Sequence, residues 1–197
     1  MQERKKRKEK KMKKFAWSFV ALMVMLVAFS ACSSDDPTPR PNTIPKEIAA
    51  TGTKALDLAG NKQISDYIEF SLDDFKELSQ IGKENYGWIE KISVDISSGA
   101  MREFNFQLPG DVELSDVEVA CADQTISVGS IKESGPVRIG NMASEEIRFY
   151  ETILNEVAKR GKAKISFKMN LSKPMISIPG KVSVTISALF SMRDEMK

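Results

Sequence analysis

Two stretches near the end of the chain, KAKISFKMNLSK and KVSVTISALFS, alternate strictly between apolar and polar residues. Ala163, Ile165, Phe167, Met169 and Leu171 point one way in the first, with Lys162, Lys164, Ser166, Lys168 and Asn170 opposite. In the second, Val182, Val184, Ile186, Ala188 and Phe190 oppose Ser183, Thr185, Ser187 and Ser191. A strand sends successive side chains to opposite faces, so this period specifies two long strands, each with one apolar face. Such a face must be buried against a second layer, which restricts the chain to antiparallel sheets stacked on each other or on helices.

The same period recurs upstream. Trp88, Ile92, Val94 and Ile96 share a face in one segment, and Phe104, Phe106 and Leu108 share one in another that ends at a Pro-Gly turn. In DVELSDVEVACAD the phase slips: Val112 and Leu114 are even, whereas Val117, Val119 and Cys121 are odd, and a bulge at Ser115-Asp116 restores a single apolar face. Residues 117–131 read as a hairpin with its turn at 122–125.

Two segments carry helical spacing instead. Ile147, Tyr150, Ile153, Leu154 and Val157 form an apolar stripe over 144–160, with Ser144 as the cap, Glu145 and Glu146 at the positive end of the dipole and Lys159-Arg160-Gly161 as the stop. A shorter helix is expected near 72–82, opened by Ser71 and Asp74 and facing the core with Phe75, Leu78 and Ile81. The expected fold is mainly β: an antiparallel two-sheet sandwich of about seven or eight strands, with these two helices added.

The other end of the chain has a different character. MQERKKRKEKKMKK is strongly basic, and the 17 residues from Phe15 to Ala31 carry no charge. This is the layout of an export leader, whose basic flank stays in the cytoplasm and sends the following chain outward. The run ends in Phe29-Ser30-Ala31-Cys32, followed by Ser33-Ser34-Asp35-Asp36. The first four residues resemble the lipobox of bacterial lipoproteins, with Phe29 where leucine is usual. The next four look like the acidic export signal of surface-exposed lipoproteins of the Bacteroidetes type. The resemblance spans residues 1–36 and implies an address: removal of residues 1–31, diacylglyceryl and fatty-acyl groups such as palmitate on Cys32, and an outer-membrane location, exposed at the cell surface or, alternatively, facing the periplasm. Two or more acyl chains give stable anchoring where one does not.

Pro37, Pro39, Pro41 and Pro45 then punctuate a segment with almost nothing apolar to bury, so residues 32–46 read as an extended linker. It reaches on the order of 40 Å at roughly 3.1 Å per residue. Residues 47–197 are left as a single β-rich domain, a size suited to one core.

Charge and composition narrow the chemistry. Nine of the 29 basic and two of the 27 acidic residues lie in 1–31, which leaves 20 and 25 beyond it, a net charge of −5. An acidic domain without aromatics interleaved among basic residues does not suit a phosphate backbone, so nucleic acid is not an expected partner. Histidine is absent, which removes the commonest general base and zinc ligand. Cys121 lies among alternating apolar residues and reads as a buried hydrophobe.

Four features carry charge in a pattern. Asp73-Asp74 and Glu145-Glu146 open helices, where the dipole accounts for them, although a carboxylate-dependent hydrolase would need two such groups facing one another. Asp111, Glu113 and Asp116 head an acidic stretch that is a weak calcium candidate without EF-hand spacing. Lys162, Lys164 and Lys168 form a basic ladder suited either to solubility or to an anionic glycan or lipid headgroup. No catalytic constellation and no cofactor motif is visible. The expectation is a non-catalytic binding or adhesive module held to the membrane through Cys32, with a glycan or an envelope protein as partner. The alternatives are a periplasm-facing accessory lipoprotein and a carboxylate-dependent hydrolase.

Overall fold

The structure is a computed structural model that describes residues 44–140 and 142–193. Cys32, Ser33, Ser34, Asp35 and Asp36, and most of the proline-rich linker, lie outside the described residues. Packing begins at Ile44, three residues before the expected start of the domain: its side chain is buried, and the Lys46 carbonyl accepts a hydrogen bond of 2.8 Å from Met192 N–H.

Nine strands and one α-helix are formed among the described residues. The strands are β1 (Glu47–Gly60), β2 (Gln63–Ser71), β3 (Ile89–Val94), β4 (Arg102–Gln107), β5 (Leu114–Cys121), β6 (Gln124–Ile131), β7 (Gly135–Val137), β8 (Lys162–Leu171) and β9 (Met175–Met192), and the helix is α1 (Ala143–Arg160). One sheet has the order β1-β9-β4-β7, with β3 joining β9 beyond β4; the other has the order β2-β8-β5-β6. Every pairing is antiparallel. The β-sandwich with helical additions is therefore the fold, with one or two strands more than the alternation alone marks out.

β9 is the spine of the first sheet. Its inward residues Val182, Val184, Ile186, Ala188 and Phe190 are all fully buried, as the alternation requires. β1 pairs along one of its edges, and on the other β3 and β4 lie end to end, separated by the loop 95–101. That loop closes on Ser187: Asp95 N–H donates to its carbonyl (2.9 Å), its N–H donates to the Met101 carbonyl (2.7 Å), and Met101 N–H donates to its Oγ (2.9 Å). The Ser187 hydroxyl also meets Thr51 Oγ1 at 2.8 Å, and Thr185 Oγ1 meets Thr53 Oγ1 at 3.1 Å. The outward hydroxyls of β9 are thus not a solvated face throughout; Thr185 and Ser187 are buried and paired.

The core is aromatic. Phe104 lies 5.8 Å from the Tyr150 ring, and 6.2 Å from those of both Phe149 and Phe167, so a strand of each sheet and the helix meet at one ring. The helix packs on β8 of one sheet and β3 of the other, and Phe149, Tyr150, Ile153, Leu154 and Val157 are buried. Each such side chain contributes about 1.5–3 kcal/mol over leaving it exposed. Gly161 ends the helix in the left-handed conformation (φ 76°), donating to the Val157 carbonyl at 2.9 Å. Its cap is Met142 and not Ser144: the Glu145 carboxylate, three residues on, accepts from Met142 N–H at 3.3 Å, and the Glu145 and Glu146 N–H groups donate to the Met142 carbonyl at 3.1 and 3.2 Å.

The segment expected as one short helix forms three 3-10 turns, Leu72–Asp74, Lys76–Ile81 and Lys83–Trp88. Asp74 caps as anticipated, accepting from Ser71 N–H at 2.7 Å and Oγ at 3.0 Å. Phe75 interrupts the helix because its extended backbone bridges Gly52 on β1, and its ring packs edge-on between Phe70 (5.4 Å) and Phe190 (4.9 Å). A Cβ at Gly52 would stand 2.7 Å from Phe70 Cζ, so only glycine admits this pair of rings. Trp88 ends the last turn and Ile96 is 70% exposed, so neither belongs to β3 as the alternation suggested; Ile92 and Val94 do, and are buried. The bulge at Ser115-Asp116 is present: Asp116 has φ 50°, both pairings of β5 shift there, and Leu114, Val117, Val119 and Cys121 reach one buried face.

Candidate functional site

The groups singled out for chemistry do not converge. Asp73 pairs with Lys83, and Asp74 with Lys54 at 2.8 Å besides its capping bonds. Glu145 caps the helix, and Glu146 pairs with Arg138 at 3.6 Å. Both acidic pairs are engaged by capping bonds or ion pairs near the starts of their elements. Asp111 pairs with Lys173 in the loop after β4, Glu113 N–H donates to Ser172 Oγ at 2.8 Å, and Asp116 accepts from Asn170 Nδ2 at 2.8 Å. No three acidic or thiol groups among the described residues stand close enough to hold a metal ion. Cys121 is buried, and burial, followed by Glu156 and Asp123, pushes its thiol up to about 11. The nucleophilic thiolate is therefore scarce near neutral pH.

The lysine ladder does belong to an assembled surface. Register carries it across the second sheet: Tyr67 lies opposite Ser166, which lies opposite Ala120, which lies opposite Thr125; one step along, Ser65, Lys168, Glu118 and Ser127 form the next row. All of these side chains are on the face turned away from the core. Lys164 Nζ sits 4.0 Å above the centre of the Tyr67 ring, a cation–π contact on a tyrosine that is 46% exposed. Lys162 Nζ bonds Glu69 Oε1 at 2.8 Å, and that hydrogen bond holds the ammonium above its ordinary pKa.

Where this face meets the end of α1 there is a shallow concavity of about 440 Å³. Its floor is open because Ala120 and Ala122 present only methyl groups. Lys162, Lys164 and Arg160 supply positive charge on its walls, against Glu69 and Glu156, with the Arg160–Glu156 pair at 3.1 Å. The arrangement suits recognition: flexible cations, the adjoining half-exposed Tyr67 ring and short hydroxyl side chains on a rigid sheet offer charge, stacking and hydrogen bonds. Sequence reasoning found the lysines, and Arg160 only as a helix stop, but not Tyr67 or the two alanines, which strand pairing and the packing of α1 bring together.

Among the described residues no helix is long and apolar enough to cross a membrane. Comparison with family models, curated proteins and solved structures finds no match.

Proposed function

We propose that the chain is a lipid-anchored lipoprotein of the outer membrane, displayed at the cell surface, whose β-sandwich is a non-catalytic binding module. The address is supported by the Phe29-Ser30-Ala31-Cys32 lipobox and the Ser33-Ser34-Asp35-Asp36 tail after it. The binding role is carried by the Tyr67, Lys162, Lys164 and Arg160 surface around the alanine floor, which fits a glycan bearing acidic groups. The occupied acidic pairs favour this over a hydrolase.

The anchor is tested by expressing the chain and its Cys32→Ala variant in cells fed labelled palmitate. Label in the parent and none in the variant is expected; equal labelling overturns the assignment. Protease added to intact cells should digest the domain, and full protection would instead favour the periplasm-facing arrangement.

A further inference from the structure

The two sheets end in five edge strands, four of which are protected. β1 is covered along part of its edge by Phe75 and by a 3.0 Å bond from Thr51 N–H to Glu77, and it carries Lys54 and Asp57 beyond that cover. β7 has three residues, one of them Pro136. β2 carries Asp66 and Glu69, and β3, which pairs with β9 alone, carries Glu90 and Lys91. Cover, brevity, proline and charge are the usual means of keeping a foreign strand off a sheet edge.

β6 has none of these. Gln124–Ile131 reads QTISVGSI, eight residues without a charge or a proline, and it pairs with β5 alone. Its core-facing Ile126 and Val128 are only half buried, although they pack on the core cluster. Beside this edge runs a groove of about 450 Å³, whose near wall is Asp123 and the first part of β6 and whose far wall is Gly140 and the first turns of α1 at Glu145 and Arg148. Arg148 is exposed. Glu145 is held by Met142 N–H.

We propose that this groove receives an extended peptide segment that adds to β6 as a fifth strand of the second sheet. Main-chain hydrogen bonds to the free edge would supply affinity, and side chains on alternate residues would supply specificity. Gly129 (φ 86°) bends the edge away, so the usable stretch is Gln124–Val128, about 17 Å at 3.3 Å per residue. Apolar side chains of the incoming strand complete the burial of Ile126 and Val128, a carboxylate pairs with Arg148, and a basic side chain suits Asp123 at the other end. The helix wall favours a single strand as occupant over the broad sheet edge of a second copy. The groove shares Thr125 and Ser127 with the outer face, but Lys162 and Lys164 line a separate concavity, and the proposal stands whether or not the chain is lipid-anchored.

The test uses the full chain in detergent and a fluorescein-labelled synthetic hexapeptide of alternating valine and threonine with one central glutamate. Fluorescence anisotropy should show saturable binding, and N-methylation of alternate backbone amides should weaken it at least about tenfold. Arg148→Glu, an exposed change that leaves the core untouched, should weaken the glutamate peptide by about tenfold and favour its lysine counterpart by a similar factor. Hydrogen exchange should slow at β6 amides when the peptide is bound. Equal binding of the N-methylated peptide, no saturation up to about 1 mM, protection confined to other strands, or dimerisation through β6 in place of peptide binding would each overturn the proposal.

Discussion

Tyr150 is the most informative single position for testing this core. Its side chain is wholly buried, and its hydroxyl has no hydrogen-bond partner among the described residues. A buried hydroxyl without a partner costs about 1–3 kcal/mol relative to one left in water. Tyr150→Phe removes that oxygen and keeps the ring 5.8 Å from Phe104, at the cost of a void one atom in size and a few dispersion contacts. The net expectation is stabilisation by about 1 kcal/mol at pH 7, or a rise in Tm of about 2–4 °C for a domain of this size.

The pH dependence sharpens the test. Burial, and then the neighbouring Glu146, push the phenol well above its ordinary range, with Arg102 opposing in part. The folded state therefore holds this proton more tightly than the unfolded chain. The resulting stability is fully present below the unfolded pKa near 10 and falls by about 1.4 kcal/mol per pH unit above it. Phenylalanine has no proton to lose, so the variant's advantage over the parent should grow between about pH 10 and pH 11. Urea melts of both proteins across pH 7–11 measure the difference directly, and the other titrating groups cancel between them. Destabilisation beyond about 1 kcal/mol, or an advantage that stays flat with pH, would refute the reasoning.

Two further outcomes follow from packing. Gly52→Ala places a methyl 2.7 Å from Phe70 Cζ and 3.1 Å from Phe75 Cδ1, and should destabilise by about 1–3 kcal/mol in urea melts; a neutral result would mean the two rings can separate without loss. Cys121 should resist a thiol reagent at neutral pH until the domain unfolds. Its thiol, raised from 9.0 to about 11, contributes stability that is present below pH 9 and lost as pH rises through 11, about 2–3 kcal/mol in all, and Cys121→Ala should remove that part of the pH slope.

What could be read from the sequence was decided by where each strand lies. β8 and the later part of β9 are central and alternate without interruption, so their faces were legible. The bulge in β5 was legible too, because both of its apolar phases must reach the same core. β1 and β2 were not, because their core-facing positions include Gly52, Lys54 and Asp66. Each exception has a local cause: Gly52 yields space to Phe70 and Phe75, Lys54 pairs with Asp74, and Asp66 is exposed on an edge strand. Missing β2 also hid Tyr67, since only the pairing of Tyr67 with Ser166 brings its ring to the lysine ladder.

The same dependence on topology governs β6. QTISVGSI, without charge, reads alike whether it is paired on both sides or on one, so its composition is unremarkable until the strand order makes it an edge. Then the absence of charge becomes the notable property, because β1, β2, β3 and β7 carry charge, cover or proline and β6 has only the bend at Gly129. A solvent-exposed edge of this kind would ordinarily invite indiscriminate strand pairing. Here Gly140 and the first turns of α1 line the groove opposite the edge, so an incoming strand meets a second wall as well as β6, which turns a general hazard into a selective site.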